Sequence, residues 1–186
     1  SFLNTAQDIL RQKVKNIKFK ERMEYGENRW IHPTTLKRIK DKLETGKIEI
    51  GEYVFIGGDC EIGEGTRIES SSIGDNCVIG DRVNILGSLI MDFNNIANDV
   101  VLNGCIVGRY STIEENSRVD GSLPIDFESG SEDMVPVIGE SVSILNGSVI
   151  GPKKRVAHVH ESHAILRTNK FNELGYDRHN FYFIEK

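Results

Sequence analysis

Aliphatic residues recur along the chain at intervals of six. Ile50, Ile56, Ile62 and Ile68 stand six apart; the interval then shortens once to five, and the series runs on through Ile73, Ile79, Ile85, Ile90, Ile96, Leu102, Val107, Ile113 and Val119. An amphipathic helix repeats near 3.6 and a half-buried strand near 2, so a sustained period of six belongs to a supersecondary repeat. The longer period is 17, made of six, six and five: Ile68, Ile85, Leu102 and Val119 are successive steps of it, as are Ile79, Ile96 and Ile113. Three apolar positions in each turn describe a coil with three flat sides.

The fourth residue after many of these aliphatics is small or apolar, as at Cys60, Cys77, Val83, Val100, Ser111, Ser117, Val142 and Ser148. Both positions point inward when a short strand carries each side and a tight turn makes each corner. Gly57, Gly63, Gly74, Gly80, Gly108, Gly139 and Gly151 directly follow an aliphatic residue, where close approach of neighbouring backbones favours a residue without a side chain. The predicted fold is mainly β, a triangular parallel β-helix of the hexapeptide type. With a rise of about 4.8 Å per turn, five or six turns make a rod roughly 25–30 Å long, with Ile96 near its middle.

The series stops after Val119 at DGSLPIDFESGSEDMVP and resumes with Ile138, Ile144, Ile150 and Val156. Residues 120–137 therefore read as a loop inserted at a corner of a β-helix spanning 48–156. Residues 1–47 read as a helical linker or cap. Thr5 opens a capping-box sequence ahead of Leu10, Val14 and Ile17, and Pro33, the stripe Leu36, Ile39, Leu43 and the stop at Gly46 mark a second helix. These helices are expected to pack on the first coil and shield its strand edge. Residues 157–186 form an extended tail with aromatics at Phe171, Tyr176, Phe181, Tyr182 and Phe183, read as a cap over the last coil or as a contact between copies.

Charge narrows the partners. Residues 1–50 carry a net +5, residues 51–150 a net −13 and residues 151–186 a net +3. So acidic a middle repels a polyphosphate backbone, which argues against nucleic acid as a partner. With outward coil positions largely acidic, self-association is expected to concentrate in the tail, giving a homo-oligomer. Three cysteines, Cys60, Cys77 and Cys105, lack C-x-x-C spacing and cannot all pair within one chain, which fits a reducing, cytoplasmic setting. No apolar run approaches the roughly 20 residues of a membrane span, and the opening SFLNTAQDIL lacks the basic and apolar regions of a signal peptide. It begins with Ser, as a fragment or processed form would.

Candidate chemistry is sparse. Lys153, Lys154 and Arg155 form a basic cluster after Gly151-Pro152 that could bind an anion such as phosphate, although a charge run is more often a solvated surface. His158, His160 and His163 spell H-x-H-x-x-H, but in an extended tail His163 would face away from the other two, so no metal site is assigned. No histidine lies between Ile50 and Val156, which weighs against two groups that share such coils: the γ-class carbonic anhydrases and the hexapeptide acyltransferases, which use a histidine as zinc ligand or as general base. Glu114-Glu115 is assigned no chemistry, and no residue is assigned a catalytic role.

The segments SFLNTAQDIL, SSSIGDNCVIGDRVNI, GCIVGRYSTIEENSRV, SVIGPKKRVAHV and ILRTNKFNELGYDRHNFYFIE together resemble the C-terminal part of sugar-1-phosphate nucleotidylyltransferases, the ending most like archaeal members. The resemblance implies a left-handed β-helix standing after a catalytic α/β domain and serving assembly, stability and, in some relatives, regulation. The family's Gly-rich nucleotide loop has no counterpart here, so none of its catalytic residues is carried over. Mg²⁺ is implied for the full-length enzyme and no cofactor for this chain. Two alternatives stay open, a hexapeptide acyltransferase and a non-enzymatic assembly module such as translation-initiation factor subunits contain.

Overall fold

Every aliphatic residue of the series is buried in the computed structural model, which describes Ala6, Asp8, Met23, Glu24, Gly26 and residues 28–122, 135–158 and 181–184. Strands of two to four residues carry them, and each stacks in parallel on its counterpart one turn away. Asn95 and Ile96, for example, lie between Val78–Ile79 on one side and Thr112–Ile113 on the other. The strands form three sheets of nine, five and six. Ile56, Ile73, Ile90, Val107, Ile138 and Val156 line the first face from within. Ile62, Ile79, Ile96, Ile113 and Ile144 line the second. The third runs through Ile50, Ile68, Ile85, Leu102, Val119 and Ile150. One continuous apolar cluster fills the prism.

Between sides the chain turns through a residue in the left-handed region. Asn76, Asp99 and Asn116 serve there, as do Gly65, Gly87 and Gly104, residue types that tolerate this backbone. Directly after the inward aliphatic, the glycines answer a different need: a Cβ on Gly57 would lie 2.5 Å from the carbonyl carbon of Gly74 and 2.6 Å from the amide of Asp75, both in the next coil. Backbones one turn apart leave no space for a side chain at that point.

The inserted segment leaves the ladder intact. Ile106 and Val107 pair in parallel with Val137 and Ile138, although residues 123–134 of the loop lie outside the described residues. The coil also begins earlier than its sequence period shows. Arg29–Ile31 pairs in parallel with Val54–Ile56, and Met23–Glu24 adds an antiparallel edge. Ile31 heads the first face, but the helix Pro33–Glu44 stands between it and Ile56 and hides the spacing.

That helix is the second one the sequence predicts, and its ends follow from local chemistry. His32 is the N-cap, its ring nitrogen accepting from the Thr34 amide at 3.2 Å, Pro33 sits in the first turn, and Gly46 at φ +69° follows the last. Leu36 and Ile39 are buried against the core with Leu43 packed beside them. Of the first predicted helix only Ala6 and Asp8 fall among the described residues, both helical. At the other end, Phe181–Ile184 pairs in parallel with Arg155–His158 on the first face, while Phe171 and Tyr176 lie outside the described residues.

Ile96 sits in the middle of the second face with none of its surface exposed. Ile96→Ala is expected to cost about 2–5 kcal/mol in denaturant melts, since the coils above and below hold the cavity open. Asn84→Ala, on the exposed side of the third face, should change stability by less than about 0.5 kcal/mol.

Candidate functional site

The polar groups of the coil gather at its three corners, and their geometry states what they do. At one corner the Thr66 hydroxyl donates to the Gly80 carbonyl at 2.8 Å and accepts from the Val83 amide at 3.1 Å. Ser111 repeats the pattern with Gly139 at 2.9 Å and Val142 at 3.1 Å. In each case one side chain satisfies a carbonyl and an amide three residues apart in the next coil, groups the short strands leave unpaired. Thr35, on the helix, donates to Gly57 at 2.6 Å and accepts from Cys60 at 3.0 Å. The helix thus supplies the rung that a preceding coil would have supplied.

The cysteines occupy rungs of the same kind. The Cys60 and Cys77 thiols point to the carbonyls of Gly74 and Met91, each at 3.1 Å, and the Cys105 amide donates to Ser88 at 3.2 Å. All three are free and buried. Burial pushes the Cys105 thiol up to about 12 against an opposing hydrogen bond with Ser88, and the neighbouring Cys60 together with burial raises that of Cys77. Held protonated and out of solvent, the Cys77 and Cys105 thiols are poor nucleophiles.

Carboxylates form rungs of a second kind. Asp75 accepts from the Gly58 amide at 2.6 Å, and Asp92 accepts from the Asp75 amide at 3.0 Å. At the next corner Asp81 accepts from Glu64 at 2.7 Å and Asn98 from Asp81 at 2.8 Å. Glu114 takes the Asn146 amide at 2.9 Å, and Glu115 the Asn98 side chain at 3.3 Å. Arg82 and Asp99, 2.7 Å apart, bridge coils on the exposed side. The signal for these ladders was present in the sequence as Asp or Asn repeating at 17 residues, at 75 and 92 and at 81 and 98.

Asp120 stands where the inserted loop leaves the third face. Fully buried, it binds the Arg118 guanidinium, the Asn103 amide at 3.0 Å, and both the amide and the hydroxyl of Ser122 at 2.8 and 2.6 Å. Burial acts to raise its pKa, but the Ser122 and Arg118 hydrogen bonds outweigh it and hold the carboxyl below its ordinary value.

The predicted anion-site residues stand in three local settings. Lys153 takes a corner at φ 62°, Lys154 lines a hollow at the last coil, and Arg155 lies in a first-face strand with a guanidinium nitrogen on the Val135 carbonyl at 3.4 Å. His158 ends that strand; His160 and His163 lie outside the described residues. Among the described residues no three His, Cys, Asp or Glu side chains converge for a metal, and no helix is long and apolar enough to cross a membrane. Two hollows of about 420 and 410 Å³ are open at the ends of the coil. The first lies under the helix between Arg38, Lys42, Glu61 and Asp81, where charges of both signs meet and Lys42 already donates to the Ile62 carbonyl at 2.7 Å. The second is floored by Ile144, Leu145, Val149 and Ile150.

Residues 40–129 match the family model of the EIF2B subunit epsilon LbH domain, LbH denoting a left-handed β-helix. With the three parallel sheets, this makes the chain a left-handed β-helix domain of the hexapeptide type. Among solved structures, the chain is similar to the acetyltransferase domain of PglB from Neisseria gonorrhoeae FA1090, at 11% identity and a TM-score of 0.41, covering 65% of this chain and 53% of that one. It is also similar to a hexapeptide transferase family protein from Anaplasma phagocytophilum, at 15% identity and a TM-score of 0.25, covering 59% of this chain and 69% of that one. The chain thus spans about half of the PglB domain's length. No curated protein sequence matches it.

The depressed pKa of Asp120 has a definite consequence for stability against pH. A carboxyl whose folded pKa lies below its unfolded value, near 3.9, stabilises the fold fully above that value and loses the contribution as pH falls through the folded pKa. Asp120→Ala is therefore expected to cost about 1–3 kcal/mol at pH 7 by stripping partners from Asn103, Arg118 and Ser122. The gap to wild type should narrow below about pH 4. Urea melts at pH 7, 5 and 3 check this.

Proposed function

We propose that the chain is the β-helix portion of a sugar-1-phosphate nucleotidylyltransferase, assembling and bracing an enzyme whose chemistry resides in a separate catalytic domain. The observation that carries this reading is the use of the corner groups. Thr66, Ser88, Ser111 and the aspartates at 75, 81 and 92 are each engaged in bonds between coils, so groups that could act as nucleophile, acid or base are committed to holding the stack. The match to the EIF2B subunit epsilon LbH domain supports a module of this type. A coil so built presents stiff faces at a fixed spacing, which suits a domain that positions others. In the whole enzyme, the nucleotide phosphates and Mg²⁺ belong to the catalytic domain, where in-line attack by a sugar-1-phosphate on the α-phosphate releases pyrophosphate.

Pyrophosphate release from mixed NTPs with glucose-1-phosphate or mannose-1-phosphate tests the division of labour. The chain alone should turn over well below about 1 s⁻¹, outside the ordinary enzyme range. A parallel assay with acetyl-CoA and amine or hydroxyl acceptors should show no transfer. Turnover by the isolated chain in either assay overturns the reading. So does a start codon immediately upstream of Ser1 in the gene, where the proposal expects the coding sequence of a Gly-rich nucleotide loop.

A further inference from the structure

Two of the three cysteines are neighbours in the stack. Glu61–Ile62 pairs in register with Val78–Ile79, and a cysteine precedes each strand, so Cys60 and Cys77 stand on successive rungs of one corner. The Glu61 amide donates to the Cys77 carbonyl at 2.9 Å across the same step. In-register parallel neighbours hold their Cα atoms about 4.8 Å apart with side chains on the same side of the sheet, and a disulfide asks for a Cα separation of about 4.4–6.8 Å. Cys105 lies on a different corner, after the third face. Its counterparts one coil back and one coil on are Ser88, whose hydroxyl is 3.5 Å from the thiol, and Pro136.

The corner itself does not need thiols. Asn94 and Ser111 follow Cys77 along it and serve the next coil with oxygen: Asn94 accepts from the Ser111 amide at 2.7 Å, and Ser111 donates to the Gly139 carbonyl at 2.9 Å. The two thiols reach carbonyls in the same way, at Gly74 and Met91, but only sulfurs can be joined to one another. They are also unequal. The thiol and the amide of Cys77 both hydrogen-bond the Cys60 sulfur, and together they outweigh burial and hold the Cys60 thiol below its ordinary value, whereas that of Cys77 is raised. Cys60 is therefore the readier thiolate. It directly follows Asp59, an exposed residue in the left-handed turn at φ 56°.

We infer that Cys60 and Cys77 form a dithiol site that a hydroperoxide such as hydrogen peroxide closes into a disulfide, joining two adjacent coils at the helix end of the stack. Each sulfur has only to turn about its Cα–Cβ bond, away from its carbonyl and towards the other. The Cys60 thiolate attacks one peroxide oxygen, the O–O bond breaks, and the departing hydroxide takes up a proton and leaves as water, with Cys60 now a sulfenic acid. The Cys77 sulfur then attacks the Cys60 sulfur. The S–O bond breaks, and the hydroxyl leaves as a second water with the proton of the Cys77 thiol. Two thiols and one peroxide thus become one disulfide and two waters, sulfur being oxidised and oxygen reduced. Thiol exchange in a reducing compartment restores the pair. The bridge acts on the stack alone, whatever chemistry the whole protein performs.

Peptide mass mapping of the folded full chain after exposure to hydrogen peroxide tests the assignment. Trypsin cuts after Lys47, Arg67, Arg82 and Arg109, so the cysteines fall in three separate peptides, 48–67, 68–82 and 83–109. The expected product is the first two peptides linked, lighter than their sum by two hydrogens and separated again by dithiothreitol, with Cys105 recovered as a free thiol. In urea the unfolded chain should pair Cys105 as well. Cys105→Ser should form the bridge as wild type does. Cys77→Ser should stop at a Cys60 sulfenic acid that dimedone traps, while Cys60→Ser should leave Cys77 unoxidised over the same time; both place a hydroxyl where Ser111 already serves the corner. A folded wild type that keeps Cys60 and Cys77 free at peroxide concentrations that oxidise the unfolded chain overturns the assignment. So does a native sample that yields the mixture seen in urea, or one in which Cys105 is oxidised before Cys60.

Discussion

Everything in this fold depends on the distance between one coil and the next. Neighbouring backbones must come close enough for every short strand to exchange hydrogen bonds with the strand 17 residues on, and that single spacing dictates the residue at nearly every position. The Ile96 carbonyl accepts from the Gly80 amide at 2.8 Å and the Ile113 carbonyl from the Ala97 amide at 2.8 Å. Where backbones pass closest, at Gly57 and Gly74, even a methyl group has no room. Where they turn, a left-handed residue is needed. Where the strands end, a hydroxyl, thiol or carboxylate from one coil must satisfy the next, because a buried amide or carbonyl left bare costs about as much as several surface contacts supply.

This explains why so polar and acidic a chain forms a stable rod. Asp75, Asp81, Asp92 and Asn98 serve as acceptors for backbone amides of the neighbouring coil, a bond that a charged oxygen makes stronger. Net charge in the coil is thus partly a by-product of solving the corner problem. It also leaves the faces unequal, since the carboxylates sit at corners and on two of the outward rows while the first face stays nearly free of them.

The interior was legible in the sequence because burial repeats with the period of the coil: one aliphatic per side, one small residue per corner, and the register follows from counting. The second helix was legible for the same reason, through Pro33, Leu36, Ile39 and Gly46. The role of Ile31 was hidden, because a helix replaces a side of the coil and removes the constant spacing that identifies the others. The carboxylate rungs were visible as a 17-residue repeat of Asp and Asn, but a surface carboxylate and a rung look alike until the partner amide is placed. The basic cluster was legible only as adjacent charges. Their local settings could not be read from adjacency: Lys153 falls at a turn, Lys154 lines the hollow at the last coil and Arg155 opens a first-face strand.

A stack of identical coils has no internal reason to stop, so its first end must be closed by something that is not a coil. Thr35 shows how this chain does it. Its hydroxyl makes the same pair of bonds to Gly57 and Cys60 that Ser111 makes to Gly139 and Val142, while Leu36 and Ile39 cover the apolar floor beneath. The helix therefore satisfies both demands of the open end, the polar one at the corner and the apolar one in the centre, without offering a further strand edge on the second face. An edge left open there would template another coil, whether from this chain or another. Closing it with a helix leaves the sides of the prism, whose strands are already paired, to make contacts by side chains alone.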